Sequence, residues 1–165
     1  PIIELHTANG MRKAPLVLLD RVWLGDLPLE GVAIAVCDDC ETSDTHGLLG
    51  LNVANRYNMT IDADRREVIF SRRKDTDRIL DIRHFTRLST QFSRRFGRRV
   101  EVNMTLTNHS HLSILSAQAR VTCGTEQWIL DIDAPDAYEE RQTTLSLPVH
   151  DPCDHYQFAL HSAQW

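Results

Sequence analysis

The residues of this chain best suited to chemistry are its four cysteines, Cys37, Cys40, Cys123 and Cys153. Four cysteines allow three pairings. Cys37 and Cys40 are close together in the sequence, whereas Cys123 and Cys153 are far apart. We favour one disulfide bond within each of these two pairs. Since disulfide bonds persist in oxidising compartments, this pairing predicts a periplasmic or extracellular protein. Zinc is the rival interpretation, but the sequence has no second Cys-x-x-Cys motif, because Cys123 and Cys153 are 30 positions apart.

Histidines are the other candidate metal ligands. The chain has eight, among them His109, His111, His150 and His161. None of them forms the His-x-x-x-His spacing that places two ligands on one helix face. We therefore interpret them as solvated turn residues and expect neither a metal site nor a cofactor. The sequence also contains no glycine-rich phosphate loop and no recognisable serine nucleophile motif.

Charge is distributed unevenly along the 165 residues. The whole chain carries a net charge of −5, yet residues 72–99 hold ten basic residues against three aspartates, a net of +7. Apolar residues within this band recur at spacings of three and four, which predicts an amphipathic linker helix. Its basic face is expected to be solvated, with contact to an anionic membrane surface as the alternative. The phenylalanines lie on the apolar face of that helix, so no nucleic-acid partner is expected.

The elements that would hold these residues are mainly strands. Residues 1–71 contain apolar segments broken by turn signals, including Asn9-Gly10, and so predict a β-rich domain. Residues 100–165 contain about five short strands, and the first of these alternates apolar and polar residues from Val100 to Thr107. This spacing favours a small antiparallel β-sandwich. The predicted fold class is thus mainly β, with a β-domain (1–71), a linker helix (72–99) and a sandwich (100–165).

Gly47 to Val53, followed by Tyr57 to Asp62, forms an ordered pair of motifs in the first domain. The pair resembles the C-terminal signature of retropepsin-like aspartic proteases, in particular the bacterial members, in which a Leu-Leu-Gly strand precedes a short helix and a final strand. The segment Thr7 to Gly10 resembles the tip of the flap hairpin. Residues 19–29 are similar to the paired strands between flap and signature. Together these pieces cover roughly residues 1–70.

The resemblance implies a retropepsin-like half-lobe with two functional features. Ala8, Asn9 and Gly10 would form the tip of a flap that covers a peptide substrate. Leu48, Leu49 and Gly50 would form a buried strand behind the active-site loop, where glycine lets two backbones approach closely. These are the substrate-binding and structural residues that the resemblance assigns.

No catalytic residue is assigned in this chain. An aspartic protease needs two aspartates sharing one proton, each within an Asp-Thr-Gly or Asp-Ser-Gly triplet that precedes the flap. Asp44-Thr45-His46-Gly47 is interrupted by a histidine and follows the flap instead of preceding it. Because the chain begins at Pro1, we expect the catalytic half to lie in an upstream segment that has been removed or that remains associated as a separate chain.

These observations predict a fragment of an exported aspartic endopeptidase that is inactive alone. Its expected partners are a protein or peptide substrate and the missing N-terminal half. A homodimer is one route to the two catalytic carboxylates. The alternative is a non-enzymatic periplasmic or extracellular protein built from two β-modules, which binds a partner.

Overall fold

The computed structural model describes residues 1–7, 10–37, 47–74, 76–96, 99–148 and 155–165. Two compact units follow one another along the chain, Pro1–Asp81 and Ile82–Trp165. Both are built mainly from small antiparallel sheets, which confirms a mainly β fold class. The chain passes from one unit to the next within a short helix rather than through a long linker.

The first unit contains a three-stranded antiparallel sheet and a separate hairpin. Strand β1 (Ile2–Thr7) pairs with the long strand β2 (Gly10–Leu24), which also pairs with β3 (Leu27–Ala35). The short helix α1 (Leu51–Ala54) follows, and then the β4–β5 hairpin, Tyr57–Asp62 with Glu67–Arg72. The single-turn helix α2 (Ile79–Ile82) ends this part of the chain.

The second unit contains two three-stranded antiparallel sheets, ordered β10-β7-β6 and β11-β8-β9. Strand β7 is central in one sheet and β8 is central in the other. Residues of both sheets contribute to one hydrophobic core. The strands are β6 (Thr86–Phe96), β7 (Arg99–Asn108), β8 (Ser116–Cys123), β9 (Glu126–Ile132), β10 (Glu140–Pro148) and β11 (Gln157–Gln164).

The core of the second unit follows directly from the alternation in its strands. Along β7 the side chains of Val102, Met104 and Leu106 are buried, and the residues between them are exposed or half-buried. The same alternation buries Ala119 and Val121 on β8. Successive strand residues point to opposite sides of a sheet, so each of these strands gives one complete apolar face to the core.

The predicted linker helix over residues 72–99 is wrong. Residues up to Arg72 belong to β5, one helical turn forms α2, and Thr86–Phe96 forms the edge strand β6. Leu88 lies opposite Leu106 and Phe92 lies opposite Val102 in the register with β7. A spacing of four places two residues on one helix face, but it also places them on one strand face. The basic residues of this band are therefore not arranged on an amphipathic helix.

The helices in the described part of the chain are all short. None of them is long and apolar enough to cross a membrane.

Candidate functional site

The predicted flap is a hairpin in the structure as far as the chain is described. Strands β1 and β2 pair from Ile2 opposite Pro15 to Thr7 opposite Gly10. Gly10 has a φ of 110°, a conformation that L side chains rarely adopt, so glycine is the residue that fits there. Ala8 and Asn9, the other predicted tip residues, lie outside the described residues. The substrate-binding role of this tip remains a prediction.

The Leu-Leu-Gly segment is not a buried strand, contrary to the prediction. Residues 47–50 are irregular, and the side chain of Leu48 is 92% exposed while that of Leu49 is 46% exposed. No strand of the described chain pairs with this segment. A strand is stabilised by hydrogen bonds to a neighbouring strand, because its backbone amides and carbonyls otherwise lack partners. Without a neighbouring strand, residues 47–50 do not gain the hydrogen bonds that would favour an extended, buried conformation.

Gly50 ends this segment and begins α1. Its carbonyl accepts hydrogen bonds from the amides of Val53 (3.1 Å) and Ala54 (3.0 Å), which close the first turn of the helix. A Cβ atom at Gly50 would lie 2.5 Å from Oδ1 of Asn52. The side chain of Asn52 is itself held in place, because its Nδ2 donates to the carbonyl of Ala33 on β3 at 3.0 Å. Glycine is therefore required by a close approach at this position.

Asp81, the last residue of the first unit, has a buried carboxylate and is 1% exposed. Its Oδ1 accepts hydrogen bonds from the backbone amide of Ala33 (2.9 Å) and from Nδ2 of Asn52 (2.8 Å). Its Oδ2 accepts from Nη2 of Arg56 (2.6 Å) and from Nε of Arg78 (3.4 Å). One carboxylate thus joins β3, α1, Arg56 two residues beyond the end of α1, and Arg78 just before α2. We call these four side chains, Asn52, Arg56, Arg78 and Asp81, the Asp81 cluster.

Both arginines of the Asp81 cluster also bind the backbone of β3 at Glu30 and Gly31. Arg56 donates to the carbonyls of Glu30 (2.9 Å), Gly31 (3.2 Å) and Asn52 (2.8 Å). Arg78 donates to the same Glu30 and Gly31 carbonyls. Burial, followed by the neighbouring Arg56 charge, lowers the pKa of Arg78. The guanidinium nevertheless stays charged at neutral pH, since an arginine titrates far above that range.

Sequence reasoning missed the Asp81 cluster. The only local signal is one carboxylate in the otherwise apolar run Ile79-Leu80-Asp81-Ile82. A charged residue is almost never fully buried unless it is paired, so an aspartate there would have suggested a buried partner. The partner, Arg56, is 25 residues away and carries no pattern that identifies it.

The described cysteines, Cys37 and Cys123, both take part in disulfide bonds, and neither is a free thiol. Cys40 and Cys153, the predicted partners, lie outside the described residues, as does Asp44. The pairing therefore stays a prediction.

The described histidines do not gather into a metal site. His109 and His111 are exposed, and the backbone amide of His109 donates to the carbonyl of Phe85 at 2.8 Å. Within the described ranges, no group of three or more histidine, cysteine or acidic side chains could hold a metal ion.

One aromatic cluster lies in the second unit. The ring of Phe92 on β6 is 6.0 Å from that of Phe158 on β11 and 6.3 Å from that of Tyr156, between ring centroids. Strands β6 and β11 are edge strands of the two sheets. Tyr156 and Phe158 pack against the core, whereas Phe92 is 57% exposed. Aromatic pairs at these separations attract each other beyond their burial, so the cluster helps to join the two sheets at this side.

Comparison with known proteins found no match to this chain. No protein-family model matches it, and neither does any curated protein sequence or solved structure.

Proposed function

We propose that the first unit is the C-terminal half of a retropepsin-like aspartic endopeptidase, which acts together with an upstream half that supplies the catalytic Asp-Thr-Gly or Asp-Ser-Gly. The order of its elements supports this proposal. A hairpin with glycine at its turn is followed by the β2–β3 pair, the Leu-Leu-Gly segment, a short helix and a final hairpin. This is the order that the retropepsin resemblance implies for residues 1–70.

The observation that carries the proposal is the uncovered apolar surface of the first unit. Leu48 and Leu51, on either side of Gly50, are 92% and 71% exposed. Exposed apolar side chains grouped along one segment indicate a surface that another chain or segment covers. In the proposed enzyme, the upstream half covers these leucines and brings its own strand beside residues 47–50.

The β4–β5 hairpin supports the same proposal. Residues directly opposite in an antiparallel pair share one face, which groups Ile61 with Val68, and Met59 with Phe70. One end of this face is buried, where the rings of Tyr57 and Phe70 meet edge to face at 5.8 Å. The other end is open at Ile61 and Val68. An apolar strand face that is covered along only part of its length is expected if another segment or chain supplies the layer that packs on the rest of it.

The proposed chemistry is hydrolysis of a peptide bond in a protein or peptide substrate. Two carboxylates that share one proton activate a water molecule, which attacks the scissile carbonyl. The β1–β2 hairpin would cover the substrate, and dimerisation is one route to the second carboxylate. No described aspartate of this chain is assigned to the pair, so residues 1–165 alone are expected to be inactive.

Export to the periplasm or the extracellular space is part of this proposal. Its support is that Cys37 and Cys123 are disulfide-bonded, which is typical of proteins from oxidising compartments. Mass spectrometry of natively produced protein after thiol labelling should find no free cysteine. Four labelled thiols would contradict the proposed compartment.

The decisive experiment compares purified residues 1–165 with the longer product that includes the encoded upstream segment, using a denatured protein as substrate. The longer product should cleave it, and changing the upstream catalytic aspartate to asparagine should abolish cleavage. Cleavage by residues 1–165 alone that is lost in Asp44→Ala would contradict the proposal, because Asp44 would then be catalytic.

A non-enzymatic protein of two β-modules is the second candidate, favoured by the exposed Phe92 in the aromatic cluster. Exposed aromatic side chains are enriched at protein interfaces, so the second unit would bind a partner there. An upstream sequence without an Asp-Thr-Gly or Asp-Ser-Gly, together with an inactive longer product, would favour this candidate over the protease.

A further inference from the structure

The Asp81 cluster connects two parts of the first unit that the sequence separates. Gly50 ends the Leu-Leu-Gly segment, and Asp81 lies ten residues beyond residue 71, where the retropepsin resemblance ends. Asn52 lies between them in space. Its Oδ1 lies 2.5 Å from the position that a Cβ of residue 50 would take, and its Nδ2 donates to Asp81.

We propose that Asp81 is a positioning residue for the Leu-Leu-Gly segment, and that it acts through Asn52. The Asp81 carboxylate fixes the Asn52 amide, and the fixed amide in turn requires glycine at position 50. The protease-like lobe then extends to residue 81, because residues 77–81 supply part of its internal support. This structural coupling is independent of catalysis, whereas its consequence for substrate cleavage depends on the proposed function.

The burial of the cluster is the reason to expect a strong effect. Asp81 is 1% exposed and Arg56 is 5% exposed, so both charges are removed from water. Removing one member of a buried ion pair leaves an uncompensated charge in the interior, which is costly. In addition, an asparagine at position 81 has one acceptor oxygen and one NH2 donor, so either the donors of Ala33 and Asn52 or those of Arg56 and Arg78 would lose their acceptor.

The geometry at Gly50 gives the proposal a specific signature. Among the described residues, leaving out the chain neighbours of Gly50, the atoms within 4 Å of a Cβ at this position belong to the side chain of Asn52. Gly50→Ala should therefore disturb the unit when Asn52 is present and held. It should do little when Asn52 is replaced by alanine, because the obstructing side chain is gone.

The test uses amide hydrogen exchange in residues 1–165, read at Ala54 and Asn55, whose amides close the turn of α1. Asp81→Asn and Gly50→Ala should each speed exchange at these amides by about 100-fold. The double variant should exchange about as fast as either single variant. Amides of β7 in the second unit should keep their rates and serve as the internal reference.

Glu30→Gln is the matched control. It also removes one carboxylate from an arginine pair, but the Arg21–Glu30 pair at 2.9 Å is exposed on both sides. Exchange at α1 should be unchanged in this variant. An Asp81→Asn variant that also leaves exchange at α1 unchanged would overturn the proposal, as would a double variant whose effect is the product of the two single effects.

Asn52→Ala keeps the proposal testable if Asp81→Asn does not fold. In the Asn52→Ala background, adding Gly50→Ala should change exchange at α1 by less than about twofold. A full 100-fold effect in that background would show that Asn52 is not the link. In the longer product, Asp81→Asn should lower kcat more than it changes KM. An inactive unmodified longer product would contradict the proposed function and leave the exchange results, and hence the coupling, intact.

Discussion

The two units bury their β-sheets to different extents. In the second unit, two three-stranded sheets enclose a core that includes 12 buried residues among those described. The corresponding cluster among the described residues of the first unit has four buried residues, Leu29, Val32, Val53 and Tyr57. A sheet with one apolar face needs a second layer to cover that face. The second unit contains both of its layers among the described residues, whereas the first relies on the buried ionic contacts of the Asp81 cluster.

Replacing a leucine by alanine should lower the unfolding free energy by different amounts in the two units. Leu106 in β7 is 1% exposed, so Leu106→Ala should lower the unfolding free energy of the second unit by about 2–5 kcal/mol. Leu48→Ala, at a side chain that is 92% exposed, should change stability by less than about 0.5 kcal/mol. Chemical denaturation followed by amide exchange within each unit measures both effects. A similar large loss for both leucines would contradict the contrast between the units.

The predicted disulfide bonds should also differ in strength between the units. Removing both Cys123 and Cys153 by substitution with serine should destabilise the second unit by about 3–4 kcal/mol, because the bond would close a long loop. Removing Cys37 and Cys40 in the same way should cost about 1.5 kcal/mol, since that loop is short. Denaturation of the two double variants measures these losses. Equal losses would argue for a pairing other than the local one.

The buried side-chain amide of Asn108 stabilises the second unit through its hydrogen bonds. Asn108, 1% exposed, donates from Nδ2 to the carbonyls of Leu112 (2.7 Å) and Asp136 (3.0 Å) and accepts from Ser110. Asn108→Ala removes these hydrogen bonds and takes away the acceptor of the buried Ser110 amide, which should cost about 1–3 kcal/mol. Asn103→Ala is the control, because its hydrogen bond with Thr144 is exposed. A control as damaging as Asn108→Ala would contradict this role.

The smallest expected effect is a pH dependence from His84. Burial, followed by the charge of Arg83, lowers the pKa of His84 below its ordinary value of 6.5. The unfolded chain then binds a proton more readily than the folded chain, so stability falls as the pH drops below about 6.5. His84→Gln should reduce this loss between pH 7 and pH 5, measured by thermal unfolding. An unchanged pH profile would show that His84 does not contribute.

Part of this fold could be predicted from sequence because local alternation determines it. Strand β7, from Arg99 to Asn108, buries every second residue, and that pattern alone identified it. Strand β6 was misassigned because Leu88 and Phe92 are four apart, a spacing that both a helix and a strand allow. Hydrogen bonding to β7 makes this segment a strand. Pairing between strands produces no pattern in the local sequence that would distinguish it from a helix.

The candidate site was less predictable than the fold. The Leu-Leu-Gly motif located α1 and the glycine before it, but the expected burial of Leu48 required a neighbouring strand that the described chain does not supply. The Asp81 cluster depends on residues up to 48 positions apart, such as Ala33 and Asp81. Contacts of this kind have no periodicity, so a single sequence cannot predict them.

The central claim is that the apolar surface around Gly50 is one side of an interface with an upstream half. Amide exchange of residues 48–51 in residues 1–165, compared with the same amides in the longer product, tests it most directly. These amides should exchange rapidly in residues 1–165 and become protected by about 100-fold or more in the longer product, because a strand then pairs with them. Equal, rapid exchange in both proteins would contradict the claim.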